Sequence, residues 1–174
     1  MKYNIKNYCS AFFLSVFIYA LGSCTLSEKN KEAAASNSKI HNGIQLQEDG
    51  LQVEEAFLTN GARMQLNESN KVKVGDRISV MLAVKGWKEK DGKVFLDASE
   101  KISTVNGDVL SNNPSILATA FPGGVLPQDA AHISLYQNIG KLKKYDEPVV
   151  VSFKVWDRLT DKSLSGSCKL FVEE

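Results

Sequence analysis

From Leu51 onward apolar and polar residues alternate with a period of two, the repeat of a β-strand buried on one face. Leu51, Val53 and Phe57 fall on the apolar side, opposite Gln52, Glu54 and Ala56, and Glu55 is the one polar break. Asn60-Gly61 predicts a tight turn, with residues 63–66 as a short return. Residues 71–74 alternate again before Gly75-Asp76 turns the chain. Ile78, Val80, Leu82 and Val84 then face one way, and Arg77, Ser79, Met81 and Ala83 the other. Residues 86–92 form a charged loop with a tight turn at Asp91-Gly92. Residues 94–96 read as a short strand, and residues 102–110 as a small hairpin turned at Asn106-Gly107.

Residues 111–132 lack this regularity. Asn112-Asn113-Pro114 breaks any strand, residues 115–120 fit one helical turn, and Pro122-Gly123-Gly124 ends it. Residues 128–132 carry no clear signal, residues 133–136 predict a strand, and a lysine-rich loop spans 140–144. The last pair of strands is the clearest. Val149, Val151, Phe153 and Val155 alternate with Val150, Ser152, Lys154 and Trp156, and residues 157–162 make the turn. Leu164, Gly166, Cys168, Leu170 and Val172 then line one face of the final strand, so an antiparallel hairpin is expected with Lys154 and Lys169 outward. About seven to nine strands at this spacing predict an all-β fold, an antiparallel β-sandwich of Ig-like architecture over residues 44–174. The Ig signature is incomplete without paired cysteines around a tryptophan, and a partly closed barrel is the alternative.

The chain before residue 44 follows a different logic. Lys2 and Lys6 precede an almost continuously apolar run at residues 11–21. Its length of about eleven residues is too short to span a bilayer but fits the core of a secretory signal. Leu21-Gly22-Ser23-Cys24 follows at once. That string resembles the lipobox of bacterial lipoproteins, and the whole layout is similar to small single-domain β-sandwich lipoproteins. The resemblance implies cleavage between Ser23 and Cys24, with acyl chains on Cys24 as the membrane attachment; a plain signal peptide is the alternative. Two or three chains make a stable anchor where one is marginal. Thr25 and Leu26 stand where such lipoproteins carry the aspartate favouring inner-membrane retention, so the outer membrane is implied in a two-membrane envelope. Residues 24–43 are polar and aperiodic, which predicts a flexible tether in which His41 is solvated.

Composition narrows the function classes. The chain of 174 residues holds 21 basic and 20 acidic side chains, and removal of residues 1–23 takes away two of the basic ones. A near-neutral domain without a basic stripe is not expected to bind nucleic acid. Of the 3 cysteines, Cys9 lies in the signal and Cys24 is expected to be acylated. Cys168 is then left without a partner, so the core alone must hold the domain. Its place on the alternating face predicts a buried, inert thiol rather than a reactive one.

Catalytic patterns are sparse. Only His41 and His132 could serve a nucleophile, and no Gly-x-Ser-x-Gly elbow is present. No carboxylate pair stands apart from ordinary surface acids, and zinc would need more Cys or His ligands than the mature chain offers. Neither enzymatic activity nor a cofactor is therefore expected. For calcium, Asp157 and Asp161 share a turn that Asp91 or Asp97 could join from a neighbouring loop, although turn aspartates commonly cap their own backbone. Trp87 and Trp156 are the candidate ligand-binding residues: an exposed indole can stack on a sugar or anchor a protein, while a buried one would close an end of the sandwich. Lys141, Lys143 and Lys144 form a weak candidate for contact with anionic lipid. The expected role is non-catalytic binding or assembly contact with another protein of the cell envelope, with carbohydrate binding through Trp87 or Trp156 as the alternative.

Overall fold

The computed structural model describes residues 39–142 and 144–174. The signal segment, Ser23, Cys24, the tether up to residue 38, and Lys143 lie outside the described residues. Twelve strands and two single-turn helices follow in chain order: β1 (Lys39–Ile40), β2 (Gln45–Asp49), β3 (Gln52–Asn60), β4 (Lys71–Lys73), β5 (Arg77–Lys85), β6 (Glu89–Lys90), β7 (Lys93–Val94), β8 (Leu96–Thr104), β9 (Val109–Asn113), α1 (Leu117–Ala120), α2 (Pro127–Ala130), β10 (His132–Asn138), β11 (Val149–Asp157) and β12 (Ser163–Glu173). One sheet runs β1-β3-β5-β10. The other runs β2-β12-β11-β8-β9, with β4 added along the end of β12. Most pairings are antiparallel, as the alternation predicts, but β1 joins β3 and β4 joins β12 in parallel. Strands β6 and β7 make a separate small hairpin.

The inner faces of the two sheets supply one apolar cluster. Ile78, Val80, Leu82 and Val84 of β5 meet Val149, Val151, Phe153 and Val155 of β11, together with Leu164, Leu170 and Val172 of β12. Leu51, Leu58, Leu135 and Leu164 are among the largest fully buried side chains, and each stabilises the fold by about 1.5–3 kcal/mol relative to exposure. Gly166 sits in this layer because nothing larger fits. A Cβ there would collide with the Phe153 ring, and would stand 2.9 Å from the Gln45 carbonyl oxygen. The all-β antiparallel sandwich and its final hairpin are thus as the sequence predicts, with Val149 paired to Leu170 and Trp156 to Ser163.

Three expectations need correction. The domain begins before residue 44. Lys39 and Ile40 pair with Glu55 and Ala56, and Asn42, expected in the tether, is 1% exposed. Its amide donates to the carbonyls of Leu66 and Asn67 and to Asn70 Oδ1, while its own oxygen accepts the Leu58 N–H. His41, expected to be solvated, keeps its side chain 41% exposed and lies 3.3 Å from Glu68. Second, the register of β3 slips between Val53 and Glu55, so one extra residue is accommodated in a bulge. Ala56 and Leu58 are therefore the buried positions, and Phe57 turns to the outer face. Third, β8 runs the full length Leu96–Thr104 although Glu100 interrupts its apolar side, because Glu100 itself points into the core.

Candidate ligand-binding cleft

The outer face of the β3-β5-β10 sheet is the floor of a cleft of about 1140 Å³. Strand alternation decides what stands there. Inward Leu58, Val80 and Leu135 leave Phe57 and Thr59, Ser79 and Met81, and Ser134 and Tyr136 facing outward. Arg77, at the start of β5, extends this face, and its guanidinium carbon lies 3.8 Å from the centre of the Tyr136 ring. Tyr136 is nevertheless 56% exposed.

The rim and the wall come from loops held by side chains. At the rim, Asn60 Oδ1 accepts the N–H groups of Ala62 and Met64, and the Asn60 N–H donates to the Met64 carbonyl. The turn so made holds Arg63 at a φ of 61° beside the cleft. The wall is the segment 113–121, which includes α1. A four-residue helix cannot satisfy its own first N–H groups, and no residue adjacent to it caps them. Asp97 of β8 does so from another element: its Oδ1 accepts the N–H groups of Ile116, Leu117 and Ala118 at 3.0–3.1 Å, and its Oδ2 accepts the Ser115 hydroxyl at 2.7 Å. Burial alone would raise the Asp97 pKa. The Ala118 amide, the Ser115 hydroxyl and further amides outweigh burial and hold it below the usual value. The wall presents Ile116, Leu117, Thr119 and Phe121 to the cleft, and Phe121 is 48% exposed.

The cleft therefore combines planar aromatic surface, hydroxyls and amides at intervals, and two guanidiniums, with no carboxylate in its lining. A second, smaller hollow of about 650 Å³ lies beside the β8–β9 hairpin, between Val109, Leu110, Leu142 and Pro148.

The candidates from sequence fall elsewhere. Trp87 is half-buried, packs against the core, and donates its indole N–H to the Ala130 carbonyl at 3.1 Å, so it closes one end of the sandwich over α2. Trp156 is half-buried on the outer face of the other sheet, opposite Asp97 and Ser163 in the strand pairing. The two indoles share no exposed face, and neither lines the cleft. The aspartates do not converge either. Asp97 is paired with Trp156 across the sheet, so Asp157, the next residue, points to the opposite face. Asp157 is buried, and its oxygens accept the N–H groups of Leu159 and Lys88. Asp161 is exposed in its turn, and Asp91 sits at the β6–β7 turn with a φ of 52°. Among the described residues no group of three or more His, Cys, Asp or Glu side chains is placed to hold a metal.

Cys168 is buried and free, as its position predicts. Burial first, and the nearby Glu100 second, push its pKa up to about 12, so it is a protonated thiol at any ordinary pH. Glu100 is 1% exposed, and neither of its carboxyl oxygens has a hydrogen-bond partner among the described residues; nor does the side-chain nitrogen of Gln137. Burial pushes the Glu100 pKa up to about 7, and the facing Gln137 amide offsets only part of that. Sequence reasoning misses Glu100 and the entire cleft, and counts Asp97 toward calcium rather than toward a helix cap.

No protein-family model matches the chain, and no curated protein matches it. Among solved structures, the C-terminal domain of Wzt is similar at 14% identity and a TM-score of 0.49, over 76% of this chain and 79% of that one. Superoxide reductase (neelaredoxin) from Ignicoccus hospitalis is similar at 11% identity and a TM-score of 0.39, over 72% of this chain and 82% of that one. A point variant of the same superoxide reductase gives the same identity and score over 73% and 82%. At these levels of similarity the three carry no argument about function.

Proposed function

We propose that this protein is a lipid-anchored, non-catalytic binding protein of the cell envelope that takes a saccharide into the cleft on its β3-β5-β10 sheet. The observation that carries the reading is the pair of exposed aromatic rings, Tyr136 and Phe121, set in one cleft among strand-borne hydroxyls. A pyranose ring has an apolar C–H face and a rim of hydroxyls, and aromatic faces flanked by neutral hydrogen-bonding groups match both. The anchor rests on the Leu21-Gly22-Ser23-Cys24 string, which implies a domain outside the cytoplasm, at the outer membrane if there are two. Among the described residues no helix is long and apolar enough to cross a membrane. The glycan alternative thus keeps its ligand class but moves from Trp87 and Trp156 to Tyr136 and Phe121.

The test is a glycan array probed with the full chain in detergent, beside a Tyr136→Ala variant. Saccharide binding that the variant loses supports the reading, and the absence of any Tyr136-dependent binding refutes it. A protein partner is the second reading. It is favoured by Val105, Val109 and Leu110, exposed apolar residues at the β8–β9 hairpin. Val109→Asp and Leu110→Asp should then abolish co-purification of that partner without affecting glycan binding.

A further inference from the structure

Resting on that reading of the cleft, we propose that its ligand is an acidic saccharide whose carboxylate is attached directly to the sugar ring, a uronic-acid oligosaccharide, with Arg77 and Arg63 holding the charge.

The charge argument starts from what the guanidiniums lack. Among the described residues neither Arg63 nor Arg77 has a carboxylate within ion-pair distance, which holds for most of the lysines and arginines; what sets these two apart is that both line the cleft. The cleft lining adds no Asp or Glu. Two cations thus face an open, acid-free surface, which is complementary to an anion. Arg77 is also held in place before any ligand arrives. Arg77 lies over the Tyr136 ring, which restrains the guanidinium and leaves N–H donors of the fork free to meet a carboxylate in bidentate fashion. For Arg63 the Asn60-capped turn fixes the backbone at the rim and leaves the exposed side chain to reach for the ligand. Preorganised donors lose less freedom on binding.

The class of anion follows from the spacing. The Arg77 guanidinium is 3.8 Å from the Tyr136 ring centre, so the surface that accepts a sugar and the group that accepts a charge are adjacent. A carboxylate directly on a pyranose satisfies both at once. An acidic peptide carries its charge without a ring or hydroxyl rim, and leaves Ser79 and Ser134 on the floor without a role. The cleft volume exceeds what one sugar fills, so an oligosaccharide is the fitting length.

The experiment is calorimetric titration of the full chain in detergent with short oligogalacturonates and oligomannuronates, their neutral methyl esters, and tetraglutamate. At least one uronate should bind about tenfold or more tightly than its ester at low salt, with the preference shrinking as salt rises. Arg77→Gln and Arg63→Gln should weaken uronate binding more than ester binding and so shrink that preference, and Tyr136→Ala should weaken acid and ester alike. Arg77 and Arg63 are exposed, so an unchanged Tm will show that their variants are folded. Equal affinity for acid and ester would overturn the acidic-ligand inference and leave the saccharide reading standing. Tetraglutamate binding as tightly as the uronates would also overturn it, in favour of an acidic peptide. Binding of no uronate overturns it too, and uronate binding indifferent to Tyr136→Ala overturns both inference and cleft.

Discussion

Glu100 offers the sharpest test of the core. Its carboxyl stands on the inner side of β8, paired in register with Phe153 of β11, and near Gln137 of β10 and Cys168 of β12. The native pKa is about 7 against an ordinary 4.5. The native state therefore binds the proton more tightly than the unfolded chain does. Below pH 4.5 both states are protonated and the group has no effect. Between 4.5 and about 7 the unfolded chain has lost its proton while the native state keeps it, so stability falls as pH rises. Above that window the cost is complete, at about 3 kcal/mol.

Glu100→Gln keeps the shape and removes the ionisation. The variant should match the wild type near pH 4.5 and exceed it by about 3 kcal/mol at pH 8, which for a domain of this size raises Tm by roughly 6–12 °C. Urea unfolding of both proteins at several pH values between about 4.5 and 8.5 measures this directly. The difference between them cancels the titration of the other carboxylates, which both proteins share. A stability difference that stays constant across the range would refute the reasoning, because it would mean that Glu100 does not change its proton binding on folding. A variant less stable than wild type at pH 8 would show that the charged form is stabilised by a contact that burial alone does not account for.

Other expectations are as direct. Asn42→Ala should destabilise the fold by about 2–4 kcal/mol in urea unfolding, because it strands the carbonyls of Leu66 and Asn67 and the Leu58 N–H. Gly166→Ala should cost about 1–3 kcal/mol by forcing Phe153 aside, read as a lowered Tm. Asp97→Asn should loosen the 115–118 wall, weakening ligand binding in titration calorimetry more than it lowers Tm. Since the folded pKa of Asp97 is depressed, its stabilising effect is present above 3.8 and is lost as pH falls through the lower folded value. Cys24→Ser should move the protein from the membrane to the soluble fraction on ultracentrifugation, and a variant that stays with the membrane would sink the lipobox reading.

Strand periodicity made much of the sandwich legible and hid the cleft for the same reason. In β5 and in the β11–β12 hairpin a strict alternation separates inner from outer residues, and the structure follows it position by position. In β3 the alternation assigns Phe57 to the core, and Glu55 breaks the pattern. That break was the visible trace of the bulge. Shifting the register by one at Glu55 buries Ala56 and Leu58 and sends Phe57 outward. Similarly, Glu100 interrupts an inner face that is otherwise Leu96, Ala98 and Ile102, so a strand of nine residues shrank to a fragment. A polar residue at an inward position looks the same in sequence as the end of a strand.

The cleft wall lay further out of reach, because its cause is not local. Residues 115–120 do contain the helical turn that the sequence predicts, yet a turn that short is stable only if something distant accepts its free N–H groups. That acceptor is Asp97, 19 to 21 positions earlier in the chain. In sequence, Asp97 is one more acid near a turn, and the pattern fits a calcium ligand as well as it fits a cap. Pairing settles the matter: Asp97 and Trp156 lie opposite each other on β8 and β11, which sets Asp97 on the face away from Asp157. Asp97 thus holds the wall that faces Tyr136 and Arg77 across the cleft. Asp97 accepts five hydrogen bonds, four of them on Oδ1, so its charge is spent largely on the amides of the wall. The surface it supports is left to its two arginines.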